Sequence, residues 1–204
     1  MRKTLAVAVL LGATMLSVGQ QPEQPAPRYG VAVNAEPYPQ TTPQEALGSA
    51  LKAADRGKFE YFAAQLLEPK FLDDRVTERS RLLEAQVEKD LIAARDAQRR
   101  SPNPVPVEER ISDEPKLFAE SVRREAAQRA FRLVARDVRD TLTEHPDHVT
   151  ELRRFLRDGQ FQITGDSAVI SHKDIKDRQV SLKRVGARWF VEDSKEAATG
   201  GGKK

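Results

Sequence analysis

Apolar positions along this chain follow two rhythms, and the switch from one to the other sets the fold class. Ala46, Leu47, Ala50, Leu51 and Ala54 recur at spacings of three and four, which predicts a helix with one apolar face. Thr42, Pro43 and Glu45 supply an N-cap, a first-turn proline and the acidic third residue of a capping box; Gly57 supplies the stop. A second short helix is expected over 59–67, closed by Pro69. From 74 to 100, Val76, Leu83, Val87, Leu91 and Ala94 repeat at one and two turns, with charged residues between them. Pro102, Pro104 and Pro106 then break the helix. Another helix follows over 115–143, with Phe118, Val122, Ala126, Ala130, Phe131, Val134, Val138 and Leu142 on one stripe. The two stripes suit an antiparallel hairpin or separate packing on a sheet. After His145 and Pro146 a shorter helix carries Val149, Leu152, Phe155 and Leu156, and Gly159 ends it.

Beyond Gly159 the period drops to two. Phe161 and Ile163 alternate before a Gly165-Asp166 turn, and Ala168, Val169 and Ile170 form a second strand. Val180 and Leu182 mark a third; Gly186 and Ala187 turn the chain into a fourth over 189–192. Close turns leave no room for crossovers, so the strands form an antiparallel meander. The expected fold is α+β: N-terminal helices packed on a C-terminal curved antiparallel sheet of about four strands, with a long helical insertion at 70–160 and the helix from Thr42 as cover. Phe161, Ile163, Val180, Leu182, Trp189 and Val191 then face either that helix or a cavity, and alternation alone does not choose between them. Trp189 is read first as a core anchor and second as a pocket wall.

The first 41 residues have no such rhythm. Arg2 and Lys3 precede an uncharged apolar run over 5–16, too short for the roughly 20 residues of a membrane span. Ser17 and Gly19 follow at the spacing of a signal-peptidase site, so 1–19 reads as an export signal. Residues 20–41, rich in Pro and Gln, read as a disordered spacer; 42–194 as one α+β domain; 195–204, with three consecutive glycines, as a disordered tail. The expected setting is periplasmic or secreted, with no stable membrane insertion after the signal is removed. Without cysteine, no disulfide supports the fold there.

Charge adds little about ligands. Of 34 Lys and Arg, removal of Arg2 and Lys3 leaves 32 against 31 acids. Near-neutral balance and 6% aromatic residues argue against nucleic acid as a partner. The clusters Arg99-Arg100, Arg123-Arg124 and Arg153-Arg154 read as solvated faces with ion pairs, as do Glu84, Glu88, Lys89, Asp90 and Arg95. His145 and His148, with Asp147, have helical metal-pair spacing but lack a third ligand; His172 reads as a surface or edge residue. Asp73, Asp74, Asp174 and Asp177 lack calcium-loop spacing and read as capping and turn residues. No nucleophile elbow or phosphate loop is present, so no catalytic, cofactor or metal residue is assigned.

Residues 54–59 (Ala-Asp-Arg-Gly-Lys-Phe), the following 62–67 segment, 165–169 (Gly-Asp-Ser-Ala-Val), 180–185 and 186–193 (Gly-Ala-Arg-Trp-Phe-Val-Glu-Asp) together resemble exported members of the nuclear transport factor two-like, or cystatin-like, superfamily. The resemblance spans 42–69 and 161–193. It implies a cone of helices against a curved antiparallel sheet, of the kind also found in ketosteroid isomerases and polyketide cyclases. The catalytic aspartate or histidine-aspartate pair of those enzymes has no match here, and 70–160 is longer and more charged than the family's middle section.

These readings favour an exported, non-enzymatic domain that binds a protein partner or envelope component through its charged helical arms. One alternative is a small apolar ligand binder or weak isomerase-like enzyme using the cone, with a buried carboxylate as base. The other is a helical adaptor or chaperone-like hairpin. A homodimer is compatible with all three.

Overall fold

The computed structural model describes residues 26–103, 106 and 109–192; the expected signal segment, residues 20–25 of the expected spacer, and the expected tail lie outside them. Helix α1 (Pro43–Asp55) starts where the capping box places it: Glu45 N donates to Thr42 Oγ1 at 3.2 Å, and Glu45 Oε2 accepts from Thr42 N at 3.2 Å. Its end is a Schellman motif, with Gly57 N bonded to Ala54 O at 3.0 Å and Lys58 N to Ala53 O at 2.9 Å. Gly57 takes φ +64° in that turn, a conformation for which a side chain would be strained.

The expected short helix is a single turn, α2 (Phe59–Tyr61), that widens into a π-helical segment (Phe62–Leu66) buried on all sides. Pro69 was expected to close this segment. It instead opens α3 (Pro69–Arg100), because a first-turn residue needs no N–H donor and the Glu68 carboxylate caps the turn at Phe71 N, 2.6 Å.

Helix α4 (Pro115–Glu144) returns antiparallel to α3: Arg79 pairs with Asp137, Asp90 with Arg129, and Arg99 with Asp113, partner numbers falling as α3 advances. These pairs lie on exposed or half-exposed side chains, the solvated, ion-paired face expected of Arg99 and Asp90. Ala94, expected on the apolar stripe of α3, is exposed.

Helix α5 (Pro146–Asp158) leads through Gly159 into β1 (Gln160–Thr164), β2 (Ser167–His172), β3 (Ile175–Val185) and β4 (Arg188–Val191). These strands form an antiparallel sheet in the order β1-β2-β3-β4, so the fold class is α+β with helices preceding the sheet. Gly159 is required by space: a Cβ there would lie 2.2 Å from Phe155 O and 2.6 Å from an Ile170 methyl. Leu67 joins the free edge of β4 by an isolated parallel bridge to Val191.

One core joins α1 and α5 to the sheet through Ala46, Leu47, Phe155, Ala168, Ile170, Val180, Leu182 and Trp189. A second surrounds the π-helical segment, between α1 and the body-proximal halves of α3 and α4, and includes Leu66, Leu72, Val76, Ala130, Phe131 and Val134. The distal hairpin has a thin core of its own: Val87, Val122 and Ala126, flanked by Leu83, Leu91 and Phe118.

Residues 26–41, expected as part of a disordered spacer, form an ordered strap. Arg28 and Val31 bridge each other across a tight turn in which Tyr29 and Gly30 take φ +51° and +82°. Positive φ is costly for tyrosine, by roughly 1–2 kcal/mol. The ring is held by stacking on Phe131, centroids 4.8 Å apart and planes 5° off parallel, and its hydroxyl donates to Asp73 at 2.8 Å. Arg28 donates to Ala64 O and Pro69 O, each at 3.0 Å, and pairs with Asp73 at 2.7 Å. Further along, Tyr38 is buried against the Tyr61 ring. Gln40 Nε2 donates to Gln65 O at 3.0 Å and Trp189 O at 2.7 Å, while Gln40 O accepts from Trp189 N at 2.8 Å. Proline-rich composition denied this segment a helix or strand, yet its aromatic and amide side chains found buried partners far along the chain.

Candidate functional site

The Schellman turn that ends α1 projects Lys58 and Phe59 away from the helix axis, toward α4. There they form one wall of a cleft of about 540 Å³, with Gly57, Glu60, Tyr61 and Val31 of the strap. The other wall is α4, which contributes Arg132, Ala135, Arg136 and Arg139. Residues 132, 136 and 139 are one turn apart in succession, so their side chains leave α4 on one stripe. That stripe borders the face carrying Phe131, Val134 and Ala135 into the core, and burial of those residues fixes its orientation.

Among the described residues, four cations and one acid, Glu60, line the cleft. Arg139 is held by its neighbour Asp140 at 2.8 Å. Lys58, Arg132 and Arg136 are exposed and have no carboxylate within ion-pair distance among the described residues. All three border the cleft. Tyr61 stiffens the wall: its hydroxyl donates to Asn34 O and accepts from Asn34 N, each at 3.1 Å, and burial raises its pKa above the ordinary tyrosine value. Phe59, half-buried, leaves apolar surface beside the cations.

Behind this wall Arg188 occupies a polar interior. Its guanidinium donates to Gln65 O at 3.0 Å, to Gln65 Oε1 at 3.2 and 3.3 Å, and to Gln40 Oε1 at 3.1 Å. Burial holds its pKa below the ordinary arginine range, with the Tyr61 hydroxyl opposing that shift and Arg28 adding to it. Amide oxygens of Gln40 and Gln65, both buried, solvate the charge in place of water.

The six residues expected to line a cavity lie elsewhere. Cross-strand pairs Phe161–Ile170, Ile163–Ala168, Ala168–Leu182, Ile170–Val180 and Leu182–Val191 put five of them on one sheet face with Trp189. Val180, Leu182 and Trp189 are buried against Ala46, Leu47 and Phe155, and Phe161 and Val191 pack at the margin. Ile163 does not join them; on edge strand β1 it is 53% exposed. None of the six lines the basic cleft.

His172, expected at the surface or an edge, is buried. It meets the Phe155 ring edge-on at 6.0 Å, and its Nδ1 accepts Asp174 N–H at 3.1 Å. A register shift between Ile170 and His172 lets the imidazole cap the turn into β3 while staying on the core face. His145 and His148 lie side by side at 5.1 Å, and no cluster of three His, Cys, Asp or Glu among the described residues is placed to hold a metal. Asp73 serves the strap, Asp74 pairs with Lys70 at 2.5 Å, and the Asp177 side chain is outside the described set.

Arg132, Arg136 and Arg139 were not singled out from the sequence. Their spacing is visible there, but the opposite wall lies some seventy positions earlier, and only packing shows which arginines lack acids. No protein-family model matches the chain, and no curated protein or solved structure matches it.

Proposed function

We propose that this protein is an exported, non-catalytic binding domain that captures an anionic partner in the cleft between residues 57–61 and α4. The observation that carries the reading is the convergence of Lys58, Arg132 and Arg136, none in ion-pair contact with a carboxylate among the described residues, beside the Phe59 ring. Guanidinium groups bind carboxylates, phosphates and sulfates through paired N–H donors, and an aromatic neighbour excludes water from part of the contact. The cleft lining offers binding groups rather than a nucleophile with its base: its one carboxyl, Glu60, is exposed, and the Tyr61 hydroxyl is occupied by Asn34.

Residues 1–19 support the exported setting, and the likeness of 42–69 and 161–193 to the nuclear transport factor two-like superfamily supports a ligand-holding scaffold. The cleft, at the end of α1 and against α4, puts the site on a charged helical arm and away from the sheet face of the alternative reading.

The test is titration of the full chain with a fluorescent aryl polysulfonate, read by anisotropy. Saturable binding that weakens with salt and falls by about tenfold or more in Arg132→Ala/Arg136→Ala is expected. Binding equal in the variant and the parent would remove the cleft from consideration.

A further inference from the structure

We propose that the anion is an extended acidic segment of a partner protein, laid along α4 with carboxylates on alternate residues. This inference rests on the anion-binding reading and adds the shape of the ligand.

Along the helix axis, Arg132 and Arg136 are about 6 Å apart and Arg136 and Arg139 about 4.5 Å, at 1.5 Å per residue. An extended chain repeats its same-side side chains about every 6.6–6.8 Å. Glutamates or aspartates at two alternate positions therefore meet Arg132 and Arg136 one to one. Arg139, already paired with Asp140, forms the weaker end of the row. A compact anion such as phosphate gathers the cations at one point and leaves the length of the row unused.

The opposite wall suits a peptide as well. Phe59 and Val31, each partly buried, offer apolar contact to a side chain between the acids, and Lys58 adds a cation across the cleft. Glu60 is the one acid in the lining among the described residues and repels a carboxylate beside it. Three of the four cations are arginines, the side chain that reads planar carboxylates through two parallel hydrogen bonds.

The experiment uses the full chain and a fluorescein-labelled nonapeptide with glutamate at alternate positions and valine or phenylalanine between them. Three comparison ligands accompany it: a block peptide of the same composition with its glutamates adjacent, inorganic phosphate, and phosphatidylglycerol vesicles. The alternating peptide is expected to bind at least about fivefold more tightly than the block peptide, the arithmetic of one charge-assisted contact. Arg132→Ala and Arg136→Ala should each weaken it about tenfold. Arg123→Ala/Arg124→Ala, which removes two exposed charges of α4 outside the cleft lining, should leave it unchanged. Glu60→Gln should tighten it.

Equal affinity for the alternating and block peptides, or equal weakening by the two arginine doubles (132/136 and 123/124), would overturn the extended register. Phosphate or vesicles binding more tightly than the peptide would replace the peptide with another anion while leaving anion capture standing. Failure of every anion, the aryl polysulfonate included, would bring down both readings.

Discussion

The strap at residues 26–41 and the distal half of the α3–α4 hairpin make opposite use of secondary structure and tertiary contact. The strap has almost no regular structure, yet Tyr38 and Gln40 are buried and Tyr29 lies flat on Phe131. The distal hairpin is regular helix, yet its core reduces to Val87, Val122 and Ala126, supplemented by ion pairs and by Arg95 set over the Phe118 ring at 4.8 Å. Helical hydrogen bonds satisfy the backbone locally but contribute little to fixing one helix against another. Buried aromatic and amide groups do the converse. The strap should therefore open only with the body, and the distal hairpin before it.

The largest effect expected is at the strap. Tyr38→Ala removes a ring packed on Tyr61 and should cost about 3 kcal/mol in denaturant unfolding. A loss near zero would return the segment to the status of a passive spacer. Gln40→Ala should cost about 1–3 kcal/mol, because Trp189 O and the Arg188 guanidinium each lose a partner. The cost should be smaller in Gln40→Glu if the new carboxylate pairs with Arg188, which separates lost solvation of that charge from lost packing.

In the distal hairpin, Val87→Ala should cost about 1.5 kcal/mol for two buried carbons. Its signature is regional: amide exchange should accelerate in α3 and α4 around residues 83–91 and 118–126 while that of the strap stays unchanged. Acceleration shared by both regions would show that they open as one unit.

Two pH effects sharpen the same contrast. Burial, then the hydrogen bond to Asp73, raises the Tyr29 pKa above its ordinary 10.0. Its contribution is complete below pH 10.0 and is lost as pH climbs through the raised folded value, so the strap should loosen at the alkaline end. Absorbance of ionised tyrosine, compared with Tyr29→Phe, checks this. Asp90 behaves oppositely: hydrogen bonds from Arg129 and then Gln86 lower its pKa below 3.8. Its pairing is present above pH 3.8 and lost as pH falls through the depressed value. Asp90→Asn should reduce acid-induced loosening of the distal hairpin, leaving the share of the Asp113 and Glu125 pairs, with no measurable change in melting temperature at neutral pH, the smallest effect of the series, since an exposed pair contributes little.

Much of the scaffold could be read along the chain because it depends on near neighbours. Thr42, Pro43 and Glu45 cap α1 within four residues of one another, the stripe from Phe118 to Leu142 marks one helix face, and the glycines at 165 and 186 separate strands by their turns. The errors fall where a residue's role depends on a distant partner. Pro69 opens a helix because Glu68 caps it and bonds the edge of β4 at Val191 O, 2.9 Å. His172 is buried because Phe155 of α5 covers it. Ile163 matches the alternation of the other lining candidates but sits on the edge strand, beyond the reach of the covering helices.

Period and capping by themselves determined α1, the long course of α3 and α4, the order of the strands and the α+β class, since these follow from hydrogen bonds and side-chain directions repeated within a few residues. Tertiary structure alone decided that the proline-rich strap is anchored, that a guanidinium is solvated by two glutamines, and that Lys58 and Phe59 face three arginines of α4. Each of those outcomes joins groups tens of residues apart, where the deciding quantity is which charges and polar atoms are left with partners after the core has packed.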